Sequence, residues 1–154
     1  MDAGSGPARR TFQPQHAEFA EAVQASFARQ GFLRTIGAKL ITVLPGTVEL
    51  ALPYRVELTQ QHGAMHAGVI TAIVDVACGY AALSLMPVGS EVLTVEYKVN
   101  FLAPAVGDRF TARGAVVRAG NRLVVCRGVV AAERDGTCEP VAEMLATMIR
   151  MDAD

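Results

Sequence analysis

Cysteine is scarce in this chain of 154 residues: Cys78, Cys126 and Cys138 are odd in number, far apart and form no CxxC pair. That excludes a disulfide framework and a structural zinc site, and the three thiols read as core or surface groups in a reducing compartment. Charge is sparse too. Charged residues make up 19% of the chain and sum to −1, with an isoelectric point near 6.3. Such a balance supplies no global electrostatic reason to bind nucleic acid or an anionic membrane. An apolar leader is also missing, because Thr11-Phe12-Gln13-Pro14 stands where a secretory signal would carry its hydrophobic run. A cytoplasmic protein is expected.

What is present is apolar. Hydrophobic residues are 51% of the chain and the mean hydropathy is +0.30, which excludes disorder. A lone soluble monomer of this length must cover much of itself with polar groups. The surplus predicts a subunit that buries one face in an oligomer, with a membrane segment as the rival. The length accommodates one domain, read as a loose tail over residues 1–13 followed by a single domain over 14–154.

Pro14 to Gln30 has helical spacing, with Phe19, Val23 and Phe27 recurring every four residues and Gly31 placed as a C-cap. Two strand-like runs, Ile36–Leu44 and Thr47–Leu52, flank the turn pair Pro45-Gly46. Ala67 to Met86 is almost wholly apolar and stops before Pro87. Its length approaches that of a membrane span, yet Asp75 sits near its middle and no Lys or Arg flanks it closely. It is therefore read as the buried central helix of a globular core. Four strand-like runs follow, Glu91–Leu102, Arg109–Arg118, Arg122–Glu133 and Pro140–Arg150, separated by turn residues. The first alternates Leu93, Val95, Tyr97, Val99 and Phe101 with Thr94, Glu96, Lys98 and Asn100. Few helices and a long meander imply an α+β fold, an antiparallel sheet packed on one helix.

Asp75 is costly where it stands. A carboxylate among Val69, Ile70, Ile73, Val74 and Val76 must be paired, protonated or used. Gly68, Thr71, Asp75, Gly79 and Ala82 recur at spacings of three and four, so they share a narrow, small-residue stripe. A structural Asp tied to neighbouring backbone amides is the plainer alternative. Ahead of the helix, Gln60 to Gly68 is a polar, glycine-containing loop whose end supplies free N–H groups able to hold a carbonyl oxygen or oxyanion. His62 and His66 are four apart, but Gly63 stands where a zinc protease motif needs Glu, and no third ligand has a metal spacing. No metal and no cofactor is expected.

These residues carry a resemblance. Gln60-x-x-Gly63-x-x-His66-Ala67-Gly68 with Asp75 nine residues on, Gly79-Tyr80-Ala81-Ala82, Thr94 through Ala105, and Arg118 through Leu123 resemble the hotdog-fold acyl-CoA thioesterases of the phenylacetate-degradation (PaaI-like) type, within the 4-hydroxybenzoyl-CoA thioesterase superfamily. The likeness covers roughly residues 33–150. It implies a long helix wrapped by an antiparallel sheet, and an enzyme in which water cleaves an acyl-CoA thioester to a carboxylic acid and free CoA. It implies Asp75 as nucleophile or general base and the N–H of Ala67 as the group polarising the carbonyl. Gln60 would place water or thioester, His66 would support the thioester or the loop, and Thr94 would hold the water. Thr94 is the least secure. Strict alternation puts it on the polar face of its strand, and only a bulge or twist would bring it to Asp75. The resemblance also implies dimers, often paired into tetramers, with sites at the interface: Gln60, His66 and Ala67 from one chain, Asp75 and Thr94 from the other.

Six arginines between Val106 and Arg134 (Arg109, Arg113, Arg118, Arg122, Arg127 and Arg134) face only Asp108 and Glu133 within the same stretch. Arg118 and Arg122 flank the Gly120-Asn121 turn, a suitable place for phosphates; a solvated strand edge is the alternative. The resemblance places the CoA nucleotide there, making Arg118, Gly120, Asn121 and Arg122 nucleotide-binding residues, with Gly68, Asn100 and Phe101 further along the substrate. Tyr80, Val69 and Phe101 are expected to line the acyl pocket, which suits an aromatic or a medium-chain group equally. Two other activities compete: a hotdog hydratase or dehydratase, whose His-Phe-Pro-Gly type loop is missing, and a module that binds acyl-CoA without turning it over.

Overall fold

The computed structural model describes residues 11–152. The tail expected over 1–13 therefore lies mostly outside the described residues. Pro14 to Gln30 contains α1 (Phe19–Arg29), but Gly31 does not end the helical region. The chain breaks at Gln30, extended at φ −76 and ψ 101, and restarts at once as α2 (Gly31–Ile36), which Gly37 closes at φ +80. The reason is packing. The kink delivers Leu33 and Ile36 into the core, 0% and 2% exposed, so the strand expected from Ile36 begins instead at Lys39.

Strands β1 (Lys39–Leu44) and β2 (Thr47–Pro53) form a hairpin on Pro45-Gly46, with Gly46 at φ +74. Helix α3 runs Ala67–Leu83, three residues shorter than the expected limit at Met86. Buried Ser84 ends it: its Oγ donates to the Ala81 carbonyl at 2.7 Å and accepts from Gly46 N–H at 2.8 Å, which ties the helix end to the hairpin turn. Strands β3 (Ser90–Phe101), β4 (Arg109–Ala119), β5 (Leu123–Arg134) and β6 (Thr137–Asp152) complete one antiparallel sheet in the order β1-β2-β4-β5-β6-β3. This is the expected α+β hotdog architecture. Among the described residues no helix is long and apolar enough to cross a membrane.

Helix α3 lies across the middle of the sheet because two glycines let it approach. Gly114 on β4 and Gly128 on β5 are cross-strand partners. A Cβ at Gly114 would stand 2.3 Å from the Ala77 carbonyl carbon and oxygen, and one at Gly128 would stand 2.3 Å from Val74 Cγ2. The helix backbone thus rests on strand backbone, and Ile70, Ile73, Val74, Ala77 and Cys78 are buried against Phe110, Val130, Met144 and Met148. Burial of this apolar face is the main stabilising contribution.

Strand β3 is one of the sheet's two edges, paired only with β6. Its alternation is interrupted. Thr94 faces Met148 and Glu96 faces Thr147, so Val95 is an extra residue in a bulge. Beyond the bulge Tyr97, Val99 and Phe101 oppose the buried Ala146, Met144 and Ala142, on the helix side; before it Leu93 opposes Ile149, on the outer side. The single apolar face expected from Leu93 to Phe101 is accordingly split between the two sides of the sheet.

Candidate active site

The loop before α3 is a small closed structure. Thr59 and Met65 bridge it, Gly63 N–H donates to the Gln60 carbonyl at 3.0 Å, and Gly63 sits at φ +82, where a side chain would be strained. The His62 N–H donates to the side-chain oxygen of Gln60, and among the described residues the NH2 end of that amide has no partner. His66 is the N-cap of α3. Its Nδ1 accepts from the Gly68 N–H at 2.9 Å, so this bond assigns the proton to Nε2. The His66 carbonyl accepts from Val69 at 3.0 Å and Ile70 at 3.2 Å. The Ile70 bond is the first regular one of the helix. Of the four amides ahead of it, His66 donates to the Leu58 carbonyl at 2.9 Å, Gly68 and Val69 donate to His66, and among the described residues the N–H of Ala67 has no partner. Gln60, Ala67 and Phe101 line one open cavity of about 450 Å³ with Met65, Ile70 and Pro104.

Asp75 lies two turns further along α3. Thr94 Oγ1 donates to its Oδ1 at 2.8 Å, across the gap between helix and edge strand. The bulge at Val95 makes this possible, since it places Thr94 and Tyr97 on the same face. Burial raises the pKa of Asp75 above the ordinary 3.8, against the opposing effect of the Thr94 bond. Burial outweighs the bond because one hydroxyl replaces only part of the hydration a carboxylate loses. Asp75 and Thr94 face a second cavity of about 290 Å³ with Gly79, Tyr80, Val92 and Glu91. Ser26 of α1 and Gln30, just past its end, close its far side. The sequence reading left α1 without a role; only the fold brings it here.

Within one chain the two groups stay apart. Eight residues of helix separate Ala67 from Asp75, about 12 Å along the axis, and they open into different cavities. Gln60, His66 and Ala67 thus form one cluster, Asp75 and Thr94 another.

The arginines sort by their partners. Arg109 stands near Glu133 at 4.0 Å, Arg113 near Glu49 at 3.8 Å, Arg127 near Glu143 at 2.6 Å and Arg134 near Asp135 at 3.6 Å. Among the described residues Arg118 and Arg122 make no ion pair. Arg122 lines a cavity of about 180 Å³ with Gly120, Asn121, Gln15 and Arg150. Arg118 does not line it, and Arg150, unmarked in the sequence reading, takes that place. The Gly120 N–H is used by the Leu123 carbonyl at 2.9 Å and is not free for a phosphate. Asn100 is on the outer side of β3, opposite Glu143, where its Oδ1 accepts from Lys98 Nζ at 2.7 Å. Phe101 and Asn100 therefore lie on opposite faces. Among the described residues no three His, Cys, Asp or Glu side chains converge as a metal site would require.

The family model described as the thioesterase superfamily matches residues 62–139, just over half of the chain and the stretch that holds His66, Ala67, Asp75 and Thr94. The chain belongs to the thioesterase superfamily. A solved thioesterase family protein from Silicibacter pomeroyi is 50% identical, with a TM-score of 0.86 over 88% of this chain and 99% of that one. The Escherichia coli PaaI protein of the phenylacetic acid degradation operon shares the fold at 18% identity, TM-score 0.77, covering 88% and 95% of the two chains. The medium/long-chain acyl-CoA thioesterase YigI of E. coli is 32% identical over 76 residues, 41% of this chain and 49% of that protein. A Saccharolobus solfataricus relative that bears a provisional esterase name is 34% identical over 90 residues, 58% of this chain and 64% of that protein. The matched stretch thus spans from half to just under two thirds of these two relatives. This chain is a thioesterase-family enzyme, and the superfamily resemblance seen in its motifs holds.

Proposed function

We propose that this superfamily member hydrolyses acyl-CoA thioesters, with Asp75 as the acid that activates water or attacks the carbonyl. The observation that carries this reading is Asp75 itself: a part-buried carboxylate with a raised pKa, bonded to Thr94 at 2.8 Å and facing a cavity. A carboxylate that keeps its charge reluctantly is a stronger base near neutral pH than an exposed one. As general base it takes a proton from water while the water oxygen adds to the carbonyl carbon. As nucleophile its own oxygen adds, and water later opens the resulting anhydride. In both routes the C–S bond breaks, the thiolate leaves and takes up a proton. The oxyanion formed in between needs a donor, and the unpartnered Ala67 N–H at the helix start suits that need. The Gln60 amide orients the carbonyl or the water, and His66 holds the helix start in place.

The 12 Å between these clusters, an estimate from helix rise, supports a two-fold dimer in which Gln60, His66 and Ala67 of one chain meet Asp75 and Thr94 of the other. The free edge of β3 and the exposed Tyr97 and Phe101 on its helix side are the surfaces such a partner would cover. Outside the sheet, Leu93, Leu123 and Leu145 are each more than half exposed, which suits pairing of dimers into a tetramer. CoA phosphates would bind Arg122 beside the Gly120-Asn121 turn, with Arg118 nearby and Gly68 and Phe101 further along the substrate; Asn100, on the opposite face of β3 and bonded to Lys98, is not on that path. One catalytic domain from residue 14 on and a cytoplasmic setting complete the reading.

The test is release of free thiol from a panel of acyl-CoAs by the wild type and by Asp75→Ala. Loss of a positioned acid or base lowers kcat by about a hundredfold or more. A variant that keeps wild-type turnover on every active substrate would falsify the role of Asp75.

A further inference from the structure

The cavity beside Asp75 ends in three polar groups that the hydrolytic step does not use. Tyr80 is 3% exposed on an otherwise apolar helix. Its hydroxyl accepts from Gln30 Nε2 at 2.7 Å and lies 3.2 Å from Ser26 Oγ, to which it donates. Ser26 on the last turns of α1 and Gln30 at the break that follows it both line this side of the cavity. The Phe27 ring packs at 6.1 Å from that of Tyr80 and holds it in place. Among the described residues the Gln30 side-chain oxygen accepts no bond, and the Ser26 hydroxyl hydrogen is given to none. One acceptor and one donor therefore remain at the end of the cavity remote from the reacting carbon. Gly79 lines the cavity between Asp75 and Tyr80 and adds no side chain to it.

Building on the hydrolytic reading above, we propose that Ser26, Gln30 and Tyr80 select acyl groups that carry a hydrogen-bonding substituent at their far end. Five residues of helix place Tyr80 about 7.5 Å beyond Asp75. An extended six-carbon acyl chain with a terminal hydroxyl spans about that distance. An alkyl tail of equal length would strip water from the Gln30 oxygen and the Ser26 hydroxyl and return nothing, which costs affinity. A hydroxyl there can donate to the first and accept from the second. Sites built to bond a substrate hydroxyl discriminate strongly against the analogue lacking it. Because this cavity is open, about a tenfold preference is expected, smaller than in an enclosed site.

The experiment compares kcat/KM for 6-hydroxyhexanoyl-CoA and the isosteric heptanoyl-CoA in the wild type, Gln30→Leu and Ser26→Ala, with Tm measured for each. The wild type should prefer the hydroxylated substrate about tenfold. Gln30→Leu should lose that preference by slowing the hydroxyacyl substrate and sparing or improving heptanoyl, and Ser26→Ala should lose part of it. Equal rates on both substrates in the wild type, or variants that slow both equally, would overturn the selectivity while leaving thioester hydrolysis standing. Affinity of the Asp75→Asn protein for the same two thioesters, measured by calorimetry, gives a second reading. If no thioester is hydrolysed but the hydroxylated one binds about tenfold tighter, the hydrolytic reading falls and the pocket stands; equal affinities sink the pocket.

Discussion

Gly114→Ala puts the seat of α3 under direct test. The added Cβ would stand 2.3 Å from the carbonyl carbon and oxygen of Ala77 and 2.5 Å from the Cys78 nitrogen. Comfortable carbon contacts need about 3.5–4.0 Å, so helix and strand must separate by roughly an ångström or more. Neither side yields cheaply, because the obstacle is backbone on both elements: α3 is internally bonded and β4 is paired to β2 and β5. Overpacking of this kind costs about 1–3 kcal/mol, against which the stiffer unfolded chain of alanine returns only about 0.4–1 kcal/mol. A net loss of about 1–2 kcal/mol lowers Tm by about 2–8 °C in a chain of this size. Gly128→Ala meets the end of the Val74 side chain and Cys78 Sγ at 2.8 Å, which can rotate, so it should cost less. Activity should fall further than stability. The Thr94–Asp75 bond of 2.8 Å spans the same helix–sheet gap, and an ångström of displacement at a reacting group can cost about a hundredfold in rate. Urea unfolding and thiol release on the same preparations measure both. A Gly114→Ala protein as stable and as active as the wild type would refute the close-packed seat.

Three further outcomes follow from the proposed site. Gln60→Ala and Asp75→Ala proteins, each nearly inactive, should regain roughly a quarter of wild-type activity when unfolded together and refolded, since about half the dimers are mixed and each mixed dimer has one intact site; no recovery despite verified exchange would place the site within single chains. Asp75→Asn should raise Tm at neutral pH, because burial lifts the Asp75 pKa and its ionisation penalises the folded state; that gain should shrink as pH falls through the folded-state value and vanish below the ordinary 3.8. A gain that persists in acid would mean that Asp75 is not the strained group. Arg122→Ala should raise KM for acyl-CoA several-fold with kcat nearly unchanged, and Arg118→Ala should do so less, because Arg118 lies outside the cavity at the Gly120 turn; unchanged hydrolysis of an acyl-N-acetylcysteamine relative to the CoA thioester would remove the nucleotide site altogether.

Periodicity and turn chemistry were enough to reveal the α+β architecture, the central helix and the four-strand meander, because burying one face imposes a period on the chain that made it. Asp75 was legible for the converse reason: a carboxylate amid Ile73, Val74 and Val76 breaks the pattern at a cost. The helix start was legible as well, since a polar, glycine-containing loop from Gln60 to Gly68 runs straight into an apolar stretch, while the capping by His66 and the left-handed turn at Gly63 came from the structure. Tertiary structure decided what depends on register and on distant neighbours. The bulge at Val95 leaves no mark in an alternating strand, yet it turns Thr94 toward Asp75 and splits the apolar face of β3. The break at Gln30 is equally silent, because its cause is the burial of Leu33 and Ile36 and the hold of Tyr80, fifty residues away. Arg150 reaches the Gly120 turn only because β6 lies beside β5, and Ser26 and Gln30 reach the Asp75 cavity only because α1 lies beside α3. Local sequence specifies which residues want burial or a cap; which of them meet is set by the packing of helix on sheet, an interaction between segments that no single segment encodes.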